Sequence, residues 1–262
     1  MPTNPLISPA YALSGLLVGI LVGFTGVGGG SLMTPLLVLL FRFHPATAIG
    51  TDLLFAATTK TAGTLVHGFA GTVDWRVVGL LASGSLPGTV ATLAIIDRLG
   101  PPQASTGHML SVALGVALLL TAASLVFRDR IMRWAQRHDL NPGSRRAALL
   151  TVMLGLYLGV AVTISSVGAG AIGVTALILL YPTMPIARVV GSDIAHAVPL
   201  TLLAGVGHWL IGSVDWHLFV SLIVGSIPGV VIGSLIGTRV SERALRPVLA
   251  LILVVVGVKL LG

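Results

Sequence analysis

The fold of this chain depends on one glycine-rich stretch, Gly23-Phe24-Thr25-Gly26-Val27-Gly28-Gly29-Gly30-Ser31. It interrupts an apolar run that extends from Leu13 to Leu40. Each glycine costs a helix about 1 kcal/mol relative to alanine, so five of them close together should break the helix. In lipid, the backbone groups freed by such a break are tolerated only where they are buried in protein or line a wet cavity. We therefore expect this stretch to form half of a site for a small solute.

The composition decides the class of protein. Of the 262 residues, 55% are hydrophobic and only 9% are charged, against roughly 25% charged in a soluble domain. Long apolar runs indicate helices, because a membrane β-barrel would show short alternating segments. We predict an all-α polytopic membrane protein of about 8–10 helical segments. The absence of cysteine excludes disulfides and thiolate metal sites.

The net charge of +7 comes mostly from one central basic loop. This distribution is typical of a loop that orients the chain in the membrane and contacts lipid. No nucleic-acid partner is expected. The first residues, Met1-Pro2-Thr3-Asn4-Pro5, contain no basic region of the kind that precedes a cleaved signal. The first apolar segment is therefore expected to remain as a membrane helix.

The apolar runs between helix-breaking residues define ten segments. They are Ala10–Phe24, Ser31–Phe41, Ala46–Phe69, Val77–Ile96, Gly107–Phe127, Ala147–Ser165, Ala171–Tyr181, Ala187–Ile211, Leu218–Thr238 and Ala244–Leu261. The second segment in each group of five is only about eleven residues long, which covers about half of a hydrocarbon core of about 30 Å. These two segments are predicted to be half-helices.

The two groups of five segments are repeats of each other. Gly50-Thr51-Asp52-Leu53 returns as Gly191-Ser192-Asp193-Ile194, and Gly71-Thr72-Val73-Asp74-Trp75 returns as Gly212-Ser213-Val214-Asp215-Trp216. Both pairs share one spacing, 193 − 52 = 141. The glycine break returns one residue out of step, at 167–171. We divide the chain into a first membrane repeat (1–127), a basic loop (128–146) and a second membrane repeat (147–262). One duplication of a whole membrane half is typical of transporters.

The arginines favour inverted repeats. If each half crosses the membrane an odd number of times, most basic residues collect on one side, and only Arg42, Arg98 and Lys259 lie on the other. The positive-inside rule then places the central loop in the cytoplasm of a bacterial cell with the chain in its inner membrane. Whether the half-helices span the membrane or re-enter on the same side stays open at this point.

Two sets of residues are candidates for chemistry. The first is the backbone at the two glycine breaks, where helix N-termini would present N–H groups to an anion; close helix packing by small residues is the alternative. The candidate binding residues are Gly28, Gly29, Gly30, Ser31, Thr51, Lys60, Gly168, Ala169, Gly170 and Ser192.

The second set is ionisable and lies inside apolar segments. Asp52, Asp193 and His196 are candidates for coupling transport to protons, because charge at membrane depth is costly and usually functional. Capping of a helix is the alternative for both aspartates. Lys60 has no counterpart in the second half, where the matching residue is Thr201. It is therefore a lone positive charge available to an anion or to an aspartate.

These motifs resemble the sulfite exporter TauE/SafE family of membrane permeases. The resemblance rests on Gly26–Ser31 followed by Pro35, on the Gly-Thr-Asp and Gly-Thr-Val-Asp-Trp motifs, and on Leu86-Pro87-Gly88 with their second-half counterparts. It implies a permease that moves sulfite, organosulfonates or related sulfur oxyanions.

We therefore expect a secondary transporter of small anions, with protons as candidate coupling ions. A channel-like anion pore and a membrane-embedded enzyme or accessory subunit are the alternatives. No P-loop, metal-binding helix or nucleophile elbow is visible in the sequence, so we predict no enzyme activity, cofactor or metal.

Overall fold

A computed structural model describes residues 7–25, 30–98, 104–135, 144–237 and 242–262. These residues form ten helices joined by short connections. The helices are α1 (Pro9–Thr25), α2 (Gly30–Leu39), α3 (Pro45–Phe69), α4 (Trp75–Arg98), α5 (Ala104–Ala135), α6 (Arg145–Ser165), α7 (Ala171–Leu180), α8 (Ile186–Leu210), α9 (Trp216–Gly237) and α10 (Glu242–Leu261). The prediction of an all-α, polytopic membrane protein is confirmed.

Five of these helices, α4, α5, α6, α8 and α9, are long and apolar enough to cross a membrane by length and composition. α3 is also 25 residues long. The largest difference from the predicted segments is in α5, which continues to Ala135 instead of ending near Phe127. The first residues of the central basic segment are therefore helical.

The half-helices fold back along the helices that precede them. α2 and α7 each contain 10 residues, or about 15 Å of helix. The hydroxyl of Tyr181, just past the end of α7, lies 2.8 Å from that of Thr151 near the start of α6. In the first half, the ring of Phe41 after α2 lies 5.0 Å from that of Tyr11 in α1. Each pair is thus a re-entrant hairpin that begins and ends on the same face.

Helix directions follow from the closest contacts between glycines and neighbouring helices. Gly15 and Gly19 of α1 lie against Leu222 and Ser226 of α9, so α1 and α9 run parallel. The same relation joins α6 to α4, where Gly155 lies against Leu81. These two pairs are equivalent in the repeat, because α4 corresponds to α9 and α1 to α6.

Equivalent helices near the centre run in opposite directions. Gly50 of α3 lies against His208 of α8, and Gly191 of α8 lies against His67 of α3. α5 and α10 are likewise antiparallel, with Gly115 against Leu261 and Gly257 against Leu119. Antiparallel equivalent helices are the arrangement expected for inverted repeats.

Two reciprocal hydrogen bonds join the halves at their ends. The backbone N–H of Asp74 donates to Ser192 Oγ at 2.8 Å, and that of Asp215 donates to Thr51 Oγ1 at 3.1 Å. The carboxylates of these two aspartates accept bonds from backbone N–H groups in the first turns of α4 and α9, so they are N-caps.

The helix directions divide the charges between two faces. The ends of α3, α5 and α9 and the beginnings of α4, α6, α8 and α10 share one face, which we call the basic face. The basic residues assigned to it are Arg76, Arg128, Arg130, Arg133, Arg137, Arg145, Arg146, Arg188, Arg239, Arg243 and Arg246; of these, Arg137 and Arg239 lie outside the described residues. The opposite face has Arg42, Arg98 and Lys259.

Candidate functional site

The candidate site surrounds the beginning of α7, where the second glycine break redirects the backbone. Gly168 and Gly170 have φ angles of 120° and 126°, which side chains rarely allow, and Ser166 also has a positive φ. Gly170 is the N-cap residue of α7 and makes no side-chain capping bond. The N–H groups of Gly173 and Val174 donate to the carbonyl oxygens of Gly168 and Gly170. Those of Ala171 and Ile172, at the start of α7, have no partner within the helix.

Lys60 reaches this break from another helix in the other half of the chain. It lies in the second half of α3 and is only 8% exposed. Its Nζ lies 3.5 Å from the carbonyl oxygen of Ala169. No carboxylate among the described residues forms an ion pair with it, but Asp193 and Asp52 both lie within its electrostatic range. An ammonium group has three protons to donate, so Lys60 can bind a further acceptor.

Asp52 and Asp193 are the eighth residues of α3 and α8, so neither caps a helix. Each carboxylate therefore lies about 11 Å along its helix from the point where that helix begins. Because the two helices are antiparallel, these two beginnings are at opposite ends of the bundle. Lys60 lies closer in depth to Asp193, since Gly63, one turn after Lys60, contacts Ile194. The structure thus brings together two acids and one base along the centre of the bundle.

Each aspartate packs against the first turns of the half-helix in its own repeat. Thr34 of α2 donates a hydrogen bond from its hydroxyl to Asp52 Oδ2. Asp193 Oδ1 lies directly over Gly173 of α7, where a methyl group would come within 2.1 Å of it. A carboxylate near a helix N-terminus is stabilised by the helix dipole. Asp193 Oδ1 is nevertheless buried without a hydrogen-bond partner among the described residues.

His196 contacts α4, although the sequence suggested a contact with Asp193 on its own helix. The spacing of Asp193 and His196 allows contact between them, but His196 Nε2 lies 2.8 Å from Ser85 Oγ of α4. Its Nδ1 is buried without a partner in the described structure. His196 therefore lies at the edge of the site, where it connects α8 to α4.

The remaining candidates fall into two groups. Thr51 and Ser192 are fully buried and hold the loops before α9 and α4, so the structure does not place them at the glycine breaks. Gly30 begins α2, and Ser31 follows it in the helix. Gly28 and Gly29 lie outside the described residues. Within the described ranges, no cluster of three His, Cys, Asp or Glu side chains could hold a metal ion.

Sequence reasoning missed Thr34 and Ser85, which contact the candidate acid and histidine. Both are single hydroxyl residues in apolar helices, and they lie opposite Asp52 and His196. Thr34 follows the first glycine break by one helical turn, which is a signal that could have identified it.

The comparison of the whole chain with protein families decides its membership. The model of the family "Sulfite exporter TauE/SafE" matches residues 11–260. The chain belongs to this family. The resemblance recognised in the glycine and aspartate motifs is therefore confirmed.

Curated relatives agree with this assignment. "Probable membrane transporter protein YjnA" of Bacillus subtilis is 39% identical over 257 residues, covering 97% of this chain and 100% of the relative. "Probable membrane transporter protein YdhB" of the same organism is 28% identical, covering 80% of this chain and 82% of the relative. A "Probable membrane transporter protein" of Xylella fastidiosa is 27% identical. No solved structure matches the chain. This TauE/SafE member is a membrane transporter and not an enzyme.

Proposed function

We propose that this transporter moves small oxyanions, namely sulfite, organosulfonates or related sulfur oxyanions, together with protons. The observation that carries the proposal is the position of Lys60, a buried cation directed from α3 onto the glycine break before α7. The ammonium group and the N–H groups of Ala171 and Ile172, the first two of α7, would bind the same anion from two sides. A sulfur oxyanion offers several acceptor oxygens in a compact volume and suits such donors.

The charges of the site support coupling to protons. With all groups ionised, Asp52, Asp193 and Lys60 sum to −2 + 1 = −1. A bound anion would add at least one further negative charge in a buried place, which is expensive without compensation. Protonation of an aspartate removes this repulsion, so anion and proton would bind together. Both aspartates have a buried Oδ1 without a hydrogen-bond partner in the described chain. Asp193 also lacks a hydroxyl donor like the one Thr34 gives Asp52, so it is our first candidate for this proton.

Helix directions support the proposed placement in the membrane. The two half-helices begin inside the bundle and run towards opposite faces, so their positive ends converge from opposite sides. The positive-inside rule puts the basic face, including the central segment, on the cytoplasmic side of a bacterial inner membrane. This arrangement is the inverted-repeat transporter architecture, with the substrate near the midplane.

The test is transport by the purified protein in proteoliposomes. Sulfite, thiosulfate, sulfoacetate and taurine are offered, with a pH gradient present or absent. We expect accumulation of at least one sulfur oxyanion against its gradient, which a channel would not support. Lys60→Gln should weaken binding of the transported anion by at least ~30-fold, because truncating one partner of a buried charge interaction typically costs 2–5 kcal/mol. The matched control is Thr201→Val at the equivalent position of the other half, which should transport normally.

The coupling of transport to protons is tested with Asp193→Asn and Asp52→Asn. Asp193→Asn should remove the dependence of transport on the pH gradient and leave the protein folded. Unchanged dependence on pH in both variants would exclude coupling through these aspartates. Normal transport by Lys60→Gln, or no transport of any of the four compounds by the unmodified protein, would contradict the anion site.

A further inference from the structure

A groove on the outer surface of the bundle lies apart from the central site. It has a volume of about 280 Å³ and is bounded by α5, α6 and α7. Its walls are almost wholly apolar, and the side chains of Leu120, Phe127 and Tyr157 are exposed on the surface of the bundle. The groove is lined chiefly by Leu120, Ala123, Phe127, Ile131, Tyr157 and Leu179.

The floor of the groove is closed by hydrogen bonds. Ser124 Oγ donates to the carbonyl oxygen of Ala171 at 2.9 Å and lies 2.7 Å from Thr175 Oγ1. These bonds satisfy the polar groups beneath the groove. An occupant therefore meets hydrocarbon along the groove, as an acyl chain requires.

One end of the groove is positively charged. The guanidinium group of Arg130 lies 5.8 Å from the centre of the Phe127 ring, which forms part of the wall. On α6, Arg146 continues the exposed stripe of Leu149, Met153 and Tyr157, at helical spacings of 3, 4 and 4 residues. Both arginines are exposed, and neither forms an ion pair with a described residue. They lie on two helices at the basic face.

The length of α5 allows this charge to lie beyond the hydrocarbon core. α5 has 32 residues, whereas its equivalent α10 has 20. A helix of that length extends about 48 Å, well beyond a hydrocarbon core of about 30 Å. The last turns of α5 carry Arg130 and Ile131.

We propose that this groove is a binding site for an anionic phospholipid. One acyl chain lies between α5, α6 and α7, and the phosphate is bound by Arg130 and Arg146. Basic side chains next to a membrane attract anionic headgroups, and the apolar walls select a chain over a soluble anion. Since the lipid would contact α7, its occupancy would support the helix whose first turn forms the transport site.

The test measures retention of phosphatidylglycerol and phosphatidylcholine by native mass spectrometry, together with the thermal unfolding midpoint of the protein in each lipid. We expect phosphatidylglycerol to be retained and to raise the midpoint, because a ligand of the native state stabilises it. The double variant Arg130→Gln/Arg146→Gln should bind it about 25-fold more weakly, taking each basic residue near the membrane as worth about fivefold. The control is Arg98→Gln, an exposed arginine on the opposite face.

The acyl chain is tested separately. Ala123→Trp would fill the groove from its exposed wall and should reduce retention of phosphatidylglycerol, whereas Val220→Trp on the exposed face of α9 should not. Ala176→Leu is a smaller filling change should Ala123→Trp fail to fold. Equal retention of the two lipids, full retention by the double arginine variant, or full retention by the folded groove-filling variants would each overturn the proposal.

Discussion

The two halves of this transporter share their packing but differ in their chemistry. A methyl group added at Gly84 of α4 would collide with the carbonyl oxygen of Val152. A methyl group added at the equivalent Gly225 of α9 would collide with the carbonyl oxygen of Ala12. The hydrogen bonds that Ser192 and Thr51 accept from the opposite halves are also equivalent. The scaffold is thus symmetric down to single backbone atoms.

The site is asymmetric on this scaffold. Lys60 corresponds to Thr201 and Phe55 to His196, at the common spacing of 141. Thr34 corresponds to Val174 at the spacing of the glycine breaks, 174 − 34 = 140. Asp52 therefore accepts a hydrogen bond from a hydroxyl group, whereas Asp193 has no hydroxyl donor in the described structure. Lys60 lies closer in depth to Asp193 than to Asp52.

This difference has a physical reason. Packing at the helix crossings needs small residues in both halves, because backbones approach closely in both. A single central site needs only one cation, and a second lysine would place uncompensated charge at depth. The duplicated part therefore builds the membrane scaffold, and single substitutions on one side distinguish the candidate site.

The largest effect is expected from breaking the shared packing. Gly84→Ala and Gly225→Ala each put a methyl group onto a backbone carbonyl that side-chain movement cannot clear. Overpacking of this kind costs typically 1–3 kcal/mol and occasionally more. Both variants should lower the thermal unfolding midpoint to a similar extent, measured in detergent micelles.

Gly79 provides the control for these variants. It lies on α4 with no atom within 4 Å of an added methyl group. Gly79→Ala should therefore leave the midpoint unchanged or raise it slightly, since alanine is the better helix former by about 1 kcal/mol. A large loss in only one of Gly84→Ala and Gly225→Ala would contradict the symmetry of the scaffold.

The next effect concerns the difference between the aspartates. Thr34→Val should destabilise the protein by about 1–3 kcal/mol, because it leaves a buried acceptor of Asp52 without its donor. Val174→Thr, the reverse change in the other half, should give Asp193 a donor and cost little or no stability. The thermal unfolding midpoints of the two single variants and of the double variant measure these changes in stability. Equal destabilisation by the two changes would show that the halves hold their aspartates alike.

The smallest effect is expected at the ends of the helices. Asp74→Ala and Asp215→Ala remove equivalent N-caps, and each should cost about 1 kcal/mol. Asp74 also lies 3.9 Å from Arg188 Nε, but a partly exposed ion pair adds little. The two losses should agree within about 0.5 kcal/mol when measured side by side. A clearly larger loss for Asp74→Ala would give the ion pair a structural role.

Much of the helical architecture could be predicted from the sequence. Long apolar runs separated by glycine, proline and charged residues located ten helices, nine of them within two residues of their observed ends. α5 was the exception, because its last turns leave the apolar core and arginine-rich segments look the same in a helix and in a loop. The lengths of α2 and α7 followed directly from their flanking breaks.

The candidate site was harder to predict than the helices. The sequence singled out Lys60, Asp52 and Asp193, because ionisable residues in apolar segments stand out without any coordinates. It could not separate these residues from Thr51 and Ser192, which occupy the same motifs but bond to loops of the opposite half. Neighbours in the chain can face different partners, and only packing decides which.

By itself, the sequence determined the membrane class, the helices, the duplication and the family, because apolar length and repeated spacing are local properties of the chain. The tertiary structure decided that the half-helices fold back as hairpins, that equivalent helices run antiparallel, and that Lys60 contacts the break at Ala169. It also located the glycine break: the described residues of that motif end α1 at Thr25 and begin α2 at Gly30, one turn before Thr34, which binds Asp52. These relations join residues that are distant along the chain, and helix packing sets them.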